Sequence, residues 1–175
     1  MGVIHVVMYT LNEQIVIDSI GMYDAGGSVV IHVFGAYFGI VVSFILGKSA
    51  QPKSSPQSTY NSNLFALIGT LFFWIFWPSF NAGVYTMPHP NDSDRLNVIT
   101  NTIVALTGSC LGSFMFSGFF RDKFSMEDIL RSTLAGGIII AAPCRVIINP
   151  AASLVIGLLA GIISCFLFKH LNKTL

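Results

Sequence analysis

The stretch that decides the fold is Asp24–Leu46, which reads DAGGSVVIHVFGAYFGIVVSFIL. Its only charged side chain is the first one, and apart from His32 the residues that follow are apolar, small or hydroxylic. A helix needs about 20 predominantly apolar residues to cross the hydrocarbon core of a bilayer. The stretch therefore predicts a transmembrane helix that begins beside Asp24.

The composition of the whole chain agrees with a membrane location. The 175 residues are 53% hydrophobic and 10% charged, with a mean hydropathy of +0.72. Soluble domains carry about 25% charged residues, and nine basic with eight acidic side chains are too few to cover a water-facing surface. We expect an integral membrane protein.

Six apolar segments together predict an all-α fold, a polytopic membrane helix bundle with about six transmembrane helices in one domain, residues 1–175. The predicted spans are Val3–Met22, Asp24–Leu46, Leu64–Tyr85, Val98–Phe120, Ile129–Ile148 and Ala151–Phe168. Pro150 sits where the last of these helices could begin. Glu13, Asp18, Arg131 and Arg145 are predicted to lie near span ends or to pair within the bundle.

The basic residues predict the orientation. Alternation through six spans puts seven of them on one side, namely Lys48, Lys53, Arg121, Lys123, Arg131, Lys169 and Lys173. Only Arg95 and Arg145 fall on the other side. The positive-inside rule makes the first side cytoplasmic, so both ends of this segment are predicted to be cytoplasmic and the membrane is expected to be the plasma membrane.

The outer loop between the third and fourth spans contains a glycosylation sequon, Asn91-Asp-Ser. Asn91 is therefore a candidate glycosylation site. Three cysteines without a CxxC pair are interpreted as buried small residues. The sequence indicates no metal site, no cofactor and no disulfide framework.

Polar groups inside a span are costly and need an explanation. His32 has two readings: a helix–helix hydrogen bond, or a relay in which neutral imidazole donates to or accepts from a small polar solute. Asp24 has two as well, capping the helix that follows or attracting a cation at the outer end. The aromatic cluster that ends at Phe80 is either an interfacial belt with a proline kink or a constriction over a pore.

Two long motifs carry a family resemblance. Asp24–Gly39 reads DAGGSVVIHVFGAYFG and Leu64–Asn81 reads LFALIGTLFFWIFWPSFN. Both closely resemble the Rhesus glycoproteins of the ammonium transporter superfamily. Ser132–Gly137 and Ile156–Ser164 extend the likeness, which covers nearly the whole chain in collinear order.

The resemblance implies an ammonia channel. An enzyme is not expected, because the sequence contains no paired acid and base, no nucleophile constellation and no phosphate loop. The resemblance also implies a trimer with one pore per subunit, which conducts neutral ammonia and, as a second neutral gas, carbon dioxide. His32 matches the first of two pore histidines, Phe80 matches one of two stacked phenylalanines at the external gate, and Asp24 matches a carboxylate near the recruitment site. The implied partners are ammonia or ammonium, the lipid bilayer and Rh-family subunits of a homo- or heterotrimer; no nucleic acid is implied.

Several positions depart from that pattern. The second pore histidine is expected on a helix beyond Leu175, and the other gate phenylalanine on a helix before Met1, so the chain is expected to be part of a longer protein. Val84 stands where bacterial transporters have a serine, which points to the Rhesus branch. Asn63 and Arg145 stand where that branch usually has acids. A non-conducting structural or interaction subunit, or a truncated isoform, is therefore the alternative.

Overall fold

The computed structural model describes residues 2–47, 59–83, 92–120 and 124–171. Helices account for these ranges, and no strand occurs within them. In chain order they are α1 (Gly2–Glu13) running into the π-helix π1 (Gln14–Ser19), π2 (Ser28–Val33) running into α2 (Phe34–Leu46), α3 (Tyr60–Gly83), α4 (Asp92–Phe120), α5 (Met126–Thr133), α6 (Ala135–Ile140) and α7 (Pro150–Leu171). The predicted all-α membrane bundle is confirmed.

Among the described residues, four helical stretches are long and apolar enough to cross a membrane: Ser28–Leu46, Tyr60–Gly83, Ser93–Phe120 and Pro150–His170. They coincide with the second, third, fourth and sixth predicted spans. The first predicted span corresponds to α1 with π1, and its crossing of the bilayer stays a prediction. The last helix begins at Pro150, as predicted, and Asn149 Oδ1 accepts from the N–H of Ala151 at 3.0 Å.

The fifth predicted span, Ile129–Ile148, is not one helix. It is divided into α5 and α6 at Leu134 and then unwinds through Ala141–Val146. A neighbouring helix hydrogen-bonds the backbone at the division: Ser109 Oγ donates to the carbonyl of Thr133, directly before Leu134. A backbone group left unpaired in lipid is costly, so this hydrogen bond makes the break tolerable.

The centre of the bundle is the contact between α4 and α7, where glycines bring the backbones together. A Cβ added at Gly157 would lie well inside 3.0 Å of the Ala105 carbonyl oxygen, and one at Gly161 would meet Ser109 in the same way. Small residues at such positions are typical of membrane helix interfaces. The two helices therefore form a close, backbone-to-backbone frame.

A buried amide joins this frame to the unwound segment after α6. Asn101 is fully buried, and its Nδ2 donates to the carbonyls of Cys144 at 2.8 Å and Ile147 at 2.7 Å. Its Oδ1 accepts from Ser153 Oγ at 2.9 Å. One turn earlier on α4, Asn97 donates to the carbonyls of Arg145 and Ile147. The two amides satisfy carbonyls that the unwinding leaves without helical partners.

Candidate functional site

Asp24 lies at the start of π2 and caps it. Its Oδ2 accepts from the N–H groups of Val29 at 2.8 Å and Val30 at 2.9 Å, as the capping interpretation predicted. The residue is 4% exposed, and its second carboxylate oxygen, Oδ1, is buried with no hydrogen-bond partner among the described residues. The cap uses half of the carboxylate and leaves the other half for a further donor.

The loop that carries Asp24 is docked on the unwound segment after α6. Gly26 N–H donates to the carbonyl of Ala141 at 2.7 Å. Ser28 Oγ donates to the carbonyl of Ile138 at 2.6 Å and accepts from Ala142 N–H at 2.7 Å. A Cβ at Gly26 would lie 2.6 Å from Asn81 Oδ1. Gly26 thus allows the loop to approach α3 and the unwound segment at once.

His32 is positioned by an unusual turn. Gly27 has φ +80°, a left-handed conformation that favours glycine, and the chain then forms π2 instead of an α-helix. π-helical turns are rare and occur frequently at functional sites. Asn12 Nδ2 donates to the carbonyl of Val30 at 3.0 Å and so ties α1 to this turn.

The imidazole of His32 faces the aromatic side of α3. Its ring stacks on Trp77, with centroids 5.6 Å apart and planes 23° apart. Phe80 lies 6.5 Å away in a tilted arrangement. Pro78 lies inside α3 between these two aromatic residues and removes a backbone donor there.

A cavity of about 200 Å³ lies between π2 and α3, lined by His32, Phe73, Phe76, Trp77 and Phe80. Its walls are apolar, and His32 Nε2 and Trp77 Nε1 are buried without hydrogen-bond partners among the described residues. One of these nitrogens belongs to an indole, which only donates, and the other to an imidazole, which donates or accepts according to its tautomer. The volume suits molecules of water size, which occupy about 30 Å³ each in the liquid.

The structure brings two of the sequence-predicted site residues, His32 and Phe80, to one cavity. Asp24 lies at the entrance to the turn that bears His32, but it does not line the cavity. Asn91, Val84 and His89 lie outside the described residues. His170 lies in the last turn of α7 beside Phe166, with ring centroids 4.4 Å apart, and is not a cavity residue.

Sequence reasoning missed the particular role of Trp77. It placed this residue in a general aromatic cluster, whereas Trp77 is 8% exposed and covers the face of His32. Gly137 explains the position, because a Cβ there would lie 2.8 Å from the indole. The available signal was the glycine pair in the fifth predicted span, since small residues on one helix often accommodate a large one on the next.

A second polar cluster lies beside the Asp24 loop. Arg145, in the unwound segment, donates from Nη2 to Asp94 Oδ2 at 3.0 Å, and its guanidinium interacts electrostatically with the phenol of Tyr23. Burial raises the pKa of the Tyr23 phenol, and the Arg145 guanidinium opposes that rise. The phenol is therefore neutral near pH 7, and the guanidinium joins three separate parts of the chain.

The comparisons with known proteins identify the class. The family model described as the Ammonium Transporter Family matches residues 1–175, and the chain belongs to this family of integral membrane proteins. Among curated relatives, ammonium transporter Rh type B-A of Xenopus laevis is 38% identical over 179 residues, and ammonium transporter Rh type B of Sus scrofa is 39% identical over the same length. Each comparison takes in 100% of this chain and 38% of the relative.

A solved structure shares the fold. It is described as Nitrosomonas europaea Rh50, in connection with the mechanism of conduction by the Rhesus protein family of channels. The likeness has a TM-score of 0.84 and 35% sequence identity, and it covers 95% of this chain and 44% of that one. The resemblance to the Rhesus branch that Asp24–Gly39 and Leu64–Asn81 predicted is confirmed. The family is one of transporters and channels, not of enzymes.

Proposed function

We propose that the complete protein containing this chain conducts ammonia down its gradient across the plasma membrane. The observation that carries the proposal is the small apolar cavity of about 200 Å³ that is lined by His32 and by the aromatic side chains of α3. Membership of the ammonium transporter family supports it. The chain spans 38% of the length of its Rh type B relatives, so the remainder of the conduction path is assigned to the rest of the protein.

The chemistry of the cavity favours a neutral solute. Apolar walls offer nothing to replace the water around an ammonium ion, and removing an ion from water is far more costly than removing a neutral molecule. Ammonia can accept a hydrogen bond from an N–H and donate one to a ring nitrogen. His32 is therefore assigned the relay role, and carbon dioxide, also small and neutral, is the second gas proposed to pass.

The entrance is proposed to handle the charged form. Asp24 keeps one buried carboxylate oxygen available, and the face of Phe80 can attract a cation before it loses its proton or its water. The seven-to-two distribution of basic residues supports an extracellular position for this end. In the same orientation Asn91 faces the outside as a proposed glycosylation site, and both chain ends face the cytoplasm.

The assembly is proposed to be a trimer of Rh-family subunits, homomeric or heteromeric, embedded in lipid. Large apolar side chains are widely exposed on the outer faces of α1, α2 and α3, including Val3 at 80% and Phe44 at 88%. Surfaces of this kind are stable against lipid or against a neighbouring subunit. The trimer itself is taken from the family resemblance.

Methylammonium uptake into vesicles containing the complete protein tests the proposal. We expect uptake well above that of empty vesicles and a loss of most of it in His32→Ala. His5→Ala is the matched control and should leave uptake unchanged, because His5 of α1 packs against Phe34 and Phe38 of α2, outside the cavity. Uptake equal to that of empty vesicles, or insensitive to His32→Ala, would contradict the proposal.

The alternative is a non-conducting structural or interaction subunit. The observation that favours it is that Arg145, paired with Asp94 beside the Asp24 loop, stands where the Rhesus branch usually has an acid. Co-purification with a conducting Rh-family partner, together with no uptake by the protein alone, would favour this reading.

A further inference from the structure

Arg145 occupies a position where three elements meet. It belongs to the unwound segment after α6, it contacts Asp94 in the first turn of α4, and it interacts electrostatically with Tyr23, the residue directly before Asp24. Its own carbonyl accepts from Asn97 Nδ2 at 3.1 Å. The backbone and the side chain of Arg145 are thus held separately, which fixes the guanidinium in place.

The ion pair lies at the surface of this end of the bundle. The side chains of Arg145 and Asp94 are 29% and 31% exposed, so both charges are felt by ions in the adjacent water. The Asp24 loop shares the same support, because Ala25 and Gly26 donate to the carbonyls of Ala142 and Ala141. Arg145 therefore lies within a few residues of the carbonyls that hold the Asp24 loop, and a change of charge at Arg145 is made close to that loop.

We propose that the Arg145–Asp94 pair sets the electrostatic potential at the mouth of the conduction path. As a pair the two side chains nearly cancel, so together they leave the potential at the mouth almost unchanged, with the buried Asp24 carboxylate as the nearby negative charge. If Asp94 were removed, the remaining guanidinium would make that potential more positive. If Arg145 were removed, the remaining carboxylate would make it more negative. The identity of the arriving ion rests on the proposed function. The effect on the electrostatic potential rests on the positions of Arg145, Asp94 and Tyr23.

The opposite signs make the proposal testable. In Arg145→Gln the Asp94 carboxylate is left unneutralised, which adds a negative charge and enriches cations at the mouth. In Asp94→Asn the guanidinium is left unneutralised, which repels them. One unit charge at roughly 8 Å in a water-like medium changes local ion concentration by about twofold to threefold. The change should shrink as salt is raised.

The first measurement is the methylammonium concentration that gives half-maximal uptake by the complete protein in vesicles. We expect it to fall about twofold to threefold in Arg145→Gln and to rise by a similar factor in Asp94→Asn. The double variant should return close to the wild-type value, and Arg145→Lys, which keeps the charge, should stay near it. Shifts of both single variants in the same direction would overturn the proposal, because a merely structural pair would damage the mouth equally from either side.

A second measurement does not depend on conduction. Ile148 is 89% exposed and three residues from Arg145, within about 10 Å of extended chain. The Ile148→Cys variant is labelled with two methanethiosulfonate reagents, one with a positive trimethylammonium group and one with a negative sulfonate group. The ratio of the two labelling rates reports the local electrostatic potential. The rates measured in protein without Ile148→Cys are subtracted first. Adding Arg145→Gln should raise this ratio about fivefold and adding Asp94→Asn should lower it as much.

The two measurements separate the possible failures. If wild-type protein shows no uptake but the labelling ratios shift as expected, the proposed function fails and the charge assignment stands. If uptake is normal and the labelling ratios do not move in either variant, the charge assignment fails and the proposed function stands. Should Arg145→Gln not fold, Asp94→Asn still gives the sign of the effect, and Arg145→Lys serves as its charge-preserving control.

Discussion

Two helix pairs in this molecule, α4 with α7 and α3 with the π2–α2 segment, pack in opposite ways. Between α4 and α7 glycines bring carbonyls against the opposite backbone, so that even one added carbon has no room. Between α3 and π2 the backbones stand apart, and the space is filled by rings with a cavity of about 200 Å³ among them. Close packing supplies the frame, and the loosely filled side contains the cavity that is proposed to form part of the conduction path.

The largest expected effect comes from inserting a side chain into the frame. Gly157→Val would place its Cβ against the Ala105 carbonyl, which cannot move without displacing α4. Overpacking usually costs about 1–3 kcal/mol, and a backbone obstacle puts this variant at or above the upper end. We expect a loss of monodisperse protein after detergent extraction.

The matched control for that substitution is Gly69→Val on α3, where no atom lies within 4 Å of the added Cβ. It should be extracted as well as the wild type. Equal behaviour of the two variants would show that the glycine contacts do not define the frame.

The next effect should come from the amide that joins the frame to the unwound segment. Asn101→Ala removes the hydrogen bonds to the carbonyls of Cys144 and Ile147 and the one from the Ser153 hydroxyl, and leaves these buried groups without this partner. We expect a cost of about 2–3 kcal/mol, measured as a lower thermal unfolding midpoint in detergent. Thr100→Ala, at an exposed neighbouring position, is the control and should leave the midpoint unchanged.

On the cavity side the effect should appear in function and not in stability. Phe80→Leu keeps an apolar side chain but removes the ring face that can attract a cation, worth about 0.5–1 kcal/mol. We expect half-maximal methylammonium uptake at a concentration about twofold to fivefold higher, with an unchanged unfolding midpoint. Phe65→Leu, on an outer face of α3 with the ring 74% exposed, should change neither quantity.

The smallest effect is expected at an ion pair outside both regions. Glu127 and Arg131 pair one turn apart on α5, with side chains 40% and 44% exposed. Pairs in such exposed positions contribute little because water and salt screen them. Glu127→Gln should leave the unfolding midpoint within experimental error; a clear decrease would mean that this end of the bundle depends on surface charge.

Sequence alone predicted the parts of the fold that depend on one helix at a time. The apolar runs placed α2, α3, α4 and α7, and Pro150 marked the start of α7. Arg145 was expected to lie near a span end or to pair, and it pairs with Asp94. Each of these depends on local properties, namely apolar length, a fixed backbone angle and the cost of an isolated charge in lipid.

Features that depend on two or more elements were not predictable in this way. The break at Leu134 needs Ser109 of another helix to accommodate it, and the unwound segment needs Asn97 and Asn101. Those two asparagines, four residues apart and so on one helix face, were the visible signal. At the site, the sequence brought His32 and Phe80 together only through the family resemblance, and the stacking of Trp77 on His32 required coordinates.

The π-helical turn Ser28–Val33 has a consequence for how this protein can vary in length. Successive residues of an α-helix are rotated by about 100°, since 3.6 residues make a turn. Deletion of one residue between Asp24 and His32 would allow the π-helical turn to become an α-helical turn. The His32 imidazole would then be rotated away from Trp77, although the Asp24 cap and α2 would both remain. Substitutions in this segment can be absorbed one at a time, whereas insertions and deletions would be eliminated by selection even when the protein still folds.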